Sequence, residues 1–450
     1  MQCPTDHSLT EALMARIAVP VDAASRARAS LHVLDWLVCA RTACSDPARQ
    51  PFAQLYNASA QAGLSLFGPD RPGEAELMLD GVLGSLLEMD DVHRAAVLHP
   101  GPVVVPAALL AVRQGPVSAE ALLDAIVVGY EIMIRIGRGM GRSHYQFWHP
   151  TSTLGAFGAA AAVGRLRGLD QASLVWALGN AGTRSGGLWQ LRHEPVPSKA
   201  LHTALAARDG WLAAMLAERG FAGPRHILDG PQGLLAATAT DADPDHMLAG
   251  ADDWLIHEVS FKPWPACRHA HPAIDALLAL GQLPPPEHVQ RIEVETYQAA
   301  VDFCDRIEPT TPAQARFSIQ HALAAAMLYG RPCLAQYQPD CIDDARVAAF
   351  RSRIKVGSCA ELDSAFPNHY GARLRLYLAD GSVQEARITD AWGDPENPLQ
   401  TEDLVAKCAD LLGHAGLAPA TIDELVTMTL GLAEDVPLQD WMAAMARIVA

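Results

Sequence analysis

Lysine is scarce in this sequence: only Lys199, Lys262, Lys355 and Lys407 among 34 basic residues, set against 51 acidic ones in 450. The formal charge of −17, with no basic run to offset it, argues against a binder of nucleic acid or of an anionic membrane. Nine cysteines (Cys3, Cys39, Cys44, Cys267, Cys304, Cys333, Cys341, Cys359 and Cys408) are odd in number, scattered and without a CxxC, so neither a disulfide framework nor a thiolate metal cluster is expected. The most apolar stretches, Pro102 to Val112 and Leu154 to Gly164, fall short of the ~20 residues that a bilayer crossing takes. Met1 to Arg16 carries Asp6 and Glu11 and reads as a capped amphipathic helix, not an export signal; a soluble, cytoplasmic protein with reduced thiols is the expectation. A P-loop, a GxGxxG after a strand, a GxSxG elbow and an HExxH are all missing, which excludes the common NTPase, Rossmann, α/β-hydrolase and zincin assignments.

What the chain has is apolar material, 50% of its residues, enough for a large core over two domains. Its first 260 residues read as helices: an S-x-x-E capping box at Ser8–Glu11, helical spacing from Ser25 to Cys39, Ser118 capping 119–136, Asp170 capping a helix through Leu178, and Leu201 to Ala217. Alanine and glycine crowd Leu154 to Ala162, so helix axes there can approach closely. After Lys262 the texture changes. Ile292, Val294 and Thr296 alternate with Glu293 and Glu295 as a half-buried strand, Arg353 to Val356 is another candidate, and Ala372 to Ile388 reads as a hairpin turning at Asp380-Gly381 in a type I′ turn. Helices at Phe317 to Leu328 and Asp343 to Arg351 interleave, and helical patterning returns from Glu402. The expected organisation is mainly α: an all-helical domain, 1–265 and 395–450, interrupted by a smaller α+β domain, 266–394.

Four segments concentrate polar groups among apolar ones. In Glu88-Met89-Asp90-Asp91-Val92-His93, Glu88 and Asp91 stand three apart, hence on one face if the segment is helical, and Pro100 pushes His99 into an extended loop where an imidazole can move protons near neutral pH. The alternative is a solvated helix end. His149, Ser152 and Thr153 precede the small-residue helix, where a hydroxyl cap leaves free amides for an anion; capping alone also accounts for them. Lys199 sits at a helix start, against the dipole, and so calls for an anion nearby unless it is simply a surface lysine. Finally, Phe261 to His271 (FKPWPACRHAH) packs Lys262, Cys267, Arg268, His269 and His271 into a segment stiffened by proline at the domain boundary, where clefts lie; a stiff linker is the other reading. No carboxylate pair lies near enough in sequence to make His269 and His271 a metal site, and none is expected.

Together these runs, LEMDDVHRAAVLHPGPVVVPA (87–107), WHPTSTLGAFGAA (148–160), SKALHTALAARDG (198–210) and FKPWPACRHAH (261–271), resemble the MmgE/PrpD family, whose members include 2-methylcitrate dehydratases, cis-aconitate decarboxylase and iminodisuccinate epimerase. The resemblance implies a homodimeric enzyme without a cofactor, with a large helical domain and a smaller lid domain, acting on a small anionic substrate. It places site residues at Glu88, His99, Lys199 and Lys262. Departures occur: Val92 stands where threonine is frequent, Gly101 where serine is, Cys267 where the decarboxylase has a site histidine, and His321 where it has a tyrosine. The expected chemistry is dehydration or hydration of a polycarboxylate such as a 2-methylcitrate-like acid. His99 moves the proton and Glu88 or Asp91 orients it. Lys199, Lys262 and Arg268 hold carboxylates, His321 assists the leaving hydroxide, and His149, Thr153, Cys267 and His269 complete the pocket. An epimerase or decarboxylase, or an inactive helical interaction protein, is the alternative.

Overall fold

A computed structural model describes residues 7–56, 63–68, 72–194, 196–250, 253–434 and 436–450, which leaves Cys3 and the first residues of the Met1–Arg16 segment outside the described residues. The capping box forms as expected, with Ser8 and Glu11 bonding reciprocally at the start of α1 (Leu9–Ile17). Helix α2 (Ala23–Ala43) is capped one turn earlier than its apolar spacing suggests, by Asp22 accepting from the Ser25 amide. Behind it come α3 (Glu74–Leu86), α4 (Gly101–Val112), α5 (Ala119–Arg138), α6 (Pro150–Leu166) and α7 (Ser198–Ala217). Close approach is enforced by small residues. A Cβ at Gly155 of α6 would meet the Ala206 methyl of α7 at 2.9 Å, and one at Gly210 would meet the Ala156 carbonyl at 2.4 Å, so these helices touch backbone to backbone.

The second apolar core lies between α8 (His271–Leu278), α9 (Ile319–Tyr329) and a four-stranded sheet. Its strands are β1 (Val289–Thr296), β2 (Ile354–Ser358), β3 (Ala372–Leu378) and β4 (Val383–Ile388), in the order β2-β1-β3-β4. β1 and β2 run parallel and the other pairs antiparallel. The hairpin at Asp380-Gly381 differs from expectation: only Gly381 has positive φ (86°), with its amide donating to Leu378 at 3.1 Å, whereas a type I′ turn needs positive φ at both central residues. It is a type I turn closed by a left-handed glycine.

The last helices, α10 (Thr401–His414), α11 (Pro419–Leu430) and α12 (Leu438–Ile448), return to the first core, where residues such as Leu404, Leu425 and Trp441 are buried. The protein is therefore mainly α with a small sheet. Among the described residues no helix is long and apolar enough to cross a membrane.

Candidate active site

The loop after α3 carries the acidic cluster, and it is not helical. Glu88 has φ of +54°, so the chain turns sharply and then extends. In that conformation Glu88 and Asp90 face one side and Asp91 the other, as alternate residues of an extended chain do. A two-residue antiparallel ladder pairs Val92 with Ser260 and His93 with Val259, which delivers Lys262 to the loop. His93 and Leu98 exchange backbone bonds of 2.8 and 3.3 Å, doubling the chain back so that His99 stands over Asp90 and Asp91.

Three of the four lysines converge on this loop. Lys199, on the first turn of α7, reaches the Glu88 carboxylate at 2.6 and 2.8 Å, so the anion that its position calls for is Glu88. Lys262, fully buried, lies 3.3 Å from the same carboxylate, 3.2 Å from the Glu88 carbonyl and 3.6 Å from Asp90. Lys407 of α10 comes from behind, donating to the Met89 carbonyl at 2.7 Å and to Asp35 of α2 at 2.6 Å. The fourth, Lys355, is exposed on β2. Burial opposes ionisation of Glu88, but Lys199 and Lys262 outweigh it and hold the carboxyl below its ordinary value. Asp90 is likewise held below the carboxylate range, burial being overcome by Lys262 and His99. Burial disfavours the Lys262 ammonium, yet Asp90 and Glu88 push its pKa up to about 12.

His99 is oriented by its Nδ1, which lies 2.7 Å from the Asp91 carbonyl oxygen. A carbonyl only accepts, so Nδ1 carries the proton and Nε2 is left with a lone pair. The Asp90 carboxylate is 2.9 Å from the same Nδ1, and neither of its oxygens has a hydrogen bond among the described residues. The backbone N–H of His99 donates to Thr151 at 3.1 Å. Asp91, by contrast, points away, accepting from Tyr130 Oη and His32 Nδ1 at 2.7 Å and from the Gly101 amide at 2.8 Å. Burial raises its carboxyl to about 6. A Cβ at Gly101 would come within 2.8 Å of Asp91 Oδ1, so any side chain there would make the Asp91 carboxylate shift.

Glu88, His99, Lys199 and Lys262 border a narrow inner chamber of about 40 Å³, lined also by His149, Cys267, His269 and Tyr370. His149 is the N-cap of α6, with Nδ1 3.1 Å from that of His202, and no hydroxyl caps this helix. His269 bonds Tyr297 Oη at 2.7 Å, and burial with Arg192 and Lys199 lowers its pKa to about 3. An outer chamber of about 530 Å³ adjoins, sharing Glu88, Trp189, Lys199, Phe303 and Phe317 with the inner one.

Four of the expected site residues are engaged elsewhere or in other contacts. Asp91 supports the His99 loop from behind while Asp90, unselected in the sequence reading, faces the imidazole; a helical reading of 88–91 put Asp91 forward, whereas the extended backbone puts Asp90 beside the ring. Thr153 bonds His144 at 2.8 Å and does not border the chamber. Arg268 borders it, but its guanidinium is consumed by Asp394, the Ala391 and Trp392 carbonyls and His271. His321 is buried apart from the chamber, donating from Nε2 to the Gln336 carbonyl at 2.7 Å and accepting from Arg351 at 3.2 Å. His321→Gln should accordingly lower the melting midpoint yet leave kcat per folded molecule within about threefold; a loss of 100-fold or more, of the size general acid–base groups supply, would restore it to the chemistry.

The buried histidines set a pH dependence. In His32, His149, His269 and His271 burial lowers the folded pKa below the ordinary value of 6.5. A depressed folded value means stability that is present above pH 6.5 and lost as pH falls, by up to about 1.4 kcal/mol per histidine per pH unit. Five buried carboxyls work the other way, Asp91 and Asp275 raised to about 6, Asp80 to about 7, and Asp35 and Glu131 raised as well, but they are outnumbered once His93, His144, His202, His257 and His321, also lowered by burial, join the four histidines above. Thermal midpoints should therefore fall from pH 7 to pH 5; a flat or rising series would contradict this balance.

Among the described residues no group of three His, Cys, Asp or Glu side chains is placed to hold a metal ion. What the fold and site define is a mainly helical protein with a buried chamber at which an imidazole, two carboxylates and two ammonium groups meet. Sequence profiles described as MmgE/PrpD N-terminal domain and MmgE/PrpD C-terminal domain match residues 14–247 and 264–427. The chain belongs to the MmgE/PrpD family. Among its relatives, the cis-aconitate decarboxylase-like protein oryM of Aspergillus oryzae is 27% identical over 86% of each chain. Cis-aconitate decarboxylase of Mus musculus is 27% identical over 78% of this chain and 74% of its own. 2-Methylcitrate dehydratase of Cupriavidus necator is 26% identical over 62% and 60%.

Proposed function

We propose that this protein is a lyase that removes water from, or adds it to, a small polycarboxylate by abstracting a proton next to a carboxylate. The observation that carries this reading is the His99 geometry: Nδ1–H fixed on the Asp91 carbonyl, the Asp90 carboxylate 2.9 Å away, and Nε2 left as the base. When Nε2 takes a proton from carbon, Asp90 faces the new imidazolium. The negative charge that develops on the substrate carboxylate is met by the Lys199 ammonium at the neck of the chamber, with Lys262 behind it. The departing hydroxide takes a proton from Lys199 and leaves as water. No role in the reaction falls to His321 or Asp91.

A second reading, loss of carbon dioxide from the same carbon framework with His99 returning the proton, is favoured by the names of the Aspergillus oryzae and Mus musculus relatives. Incubating the protein with a panel of di- and tricarboxylates in heavy water and following proton NMR separates the two. An alkene signal with all carboxylates retained supports the lyase proposal. Loss of one carboxylate supports the second reading, and deuterium exchange alone, without either product, would overturn both.

A further inference from the structure

The inner chamber accommodates the reacting end of a substrate and little else. At about 40 Å³ it holds only a few water-sized volumes, each taking at least about 10–15 Å³. The rest of the substrate must extend into the outer chamber, whose volume of about 530 Å³ is that of a pocket for a far larger ligand. The exposed wall there is mostly apolar, with Trp189, Leu191, Phe303, Pro312, Phe317 and Pro339 among its lining residues. Its cations are largely committed. Arg192 lies 4.2 Å above the Phe303 ring and donates to the Tyr145 carbonyl at 3.3 Å. Arg316 donates to the Leu86 carbonyl at 2.7 Å and lies 3.7 Å from Asp46. Arg306, half-buried, lends a positive field without a side-chain ion pair among the described residues. Polar groups such as Ser85, Thr311 and Gln338 are interspersed, but on the predominant apolar surface alkyl carbon transferred from water gains up to about fourfold in binding per methylene.

We propose that the natural substrate is a polycarboxylate bearing an apolar arm of several carbons. Its carboxylates and acidic C–H sit at His99, Lys199 and Lys262, and its arm lies in the outer chamber against Trp189, Phe303 and Phe317. This rests on the lyase reading above and specifies its substrate class. The continuity of the two chambers through Lys199 and Glu88 puts the arm and the reacting centre on one molecule.

The test is a series of citrates substituted at one methylene with methyl, propyl, hexyl or a hexyl-length arm ending in a carboxylate, assayed for water loss by proton NMR with the purified full chain. The expected result is a kcat/KM for the hexyl acid at least tenfold above that of the methyl acid. Ala313→Trp, which places an indole in the outer chamber, should reduce that ratio at least fivefold, with circular dichroism and melting curves confirming that it folds. A methyl acid turned over as well as the hexyl acid overturns the arm while the lyase reading stands. Preference for the carboxylate-ended arm would put the charge of Arg306 in control and likewise overturn it. No turnover of any member removes the lyase reading and this proposal with it.

Discussion

Replacing His99 by alanine lowers turnover at least about 100-fold, the low end of what a positioned general base contributes, with the protein still folded. The side chain lies at the chamber wall with one nitrogen held by the Asp91 carbonyl, so its removal deletes a proton acceptor and little packing. Asp90→Asn should separate orientation from charge. The Asp91 carbonyl still fixes the ring, but the imidazolium loses the anion 2.9 Å away, so kcat falls. Steady-state kinetics from pH 5 to pH 9, read beside circular dichroism, checks both variants. Full activity in His99→Ala would remove the imidazole from the mechanism.

Lys262→Met should be the most destabilising single change at this site. Lys262 is fully buried between Glu88 and Asp90, and breaking a buried ion pair typically costs about 3–5 kcal/mol; without it Glu88 keeps Lys199, but the buried pair of carboxylates carries one negative charge more than the ammonium groups beside it. The sign of its pH dependence follows from the shifts. With its folded pKa raised to about 12, the ammonium stabilises the fold at every pH below the ordinary lysine value and ceases to do so only as pH rises through 12. Across pH 6 to 9 the penalty in the variant is therefore constant. At lower pH it shrinks, since Asp90 is no longer held down by the ammonium and takes up a proton, ending the uncompensated charge. Chemical denaturation of parent and variant at pH 5, 7 and 9 reads this directly; a penalty under 1 kcal/mol at pH 7 would mean that the buried charges are compensated by something other than Lys262.

Much of the helical framework was legible because helix ends carry local chemistry. Ser8 with Glu11, Ser118 and Asp170 bond to amides within three residues of themselves, so no distant contact can alter that reading. The scarcity of lysine was equally legible, and Lys199 and Lys262 meet across 63 residues of sequence at one carboxylate. What the sequence hid were decisions made by tertiary contacts. Whether 88–91 is helix or turn depends on the ladder with Val259 and Ser260, nearly 170 residues on, and that choice selects Asp90 over Asp91. The density of titratable groups in 261–271 rightly marked a place near a cleft, but not that Asp394, from beyond the sheet, would claim the Arg268 guanidinium. The setting of His321 was hidden for the same reason: its neighbours in space, Gln336 and Arg351, lie in segments with no sequence sign of contact.

The grip of Lys407 on the Met89 carbonyl joins residues 318 positions apart. During synthesis the acidic loop emerges long before the helix that secures it, and until then Asp35 waits in the interior without its counter-ion. An emerging chain therefore spends most of its elongation with an unfinished chamber floor, and a ribosome-released fragment ending before α10 should fold loosely, however complete its helices.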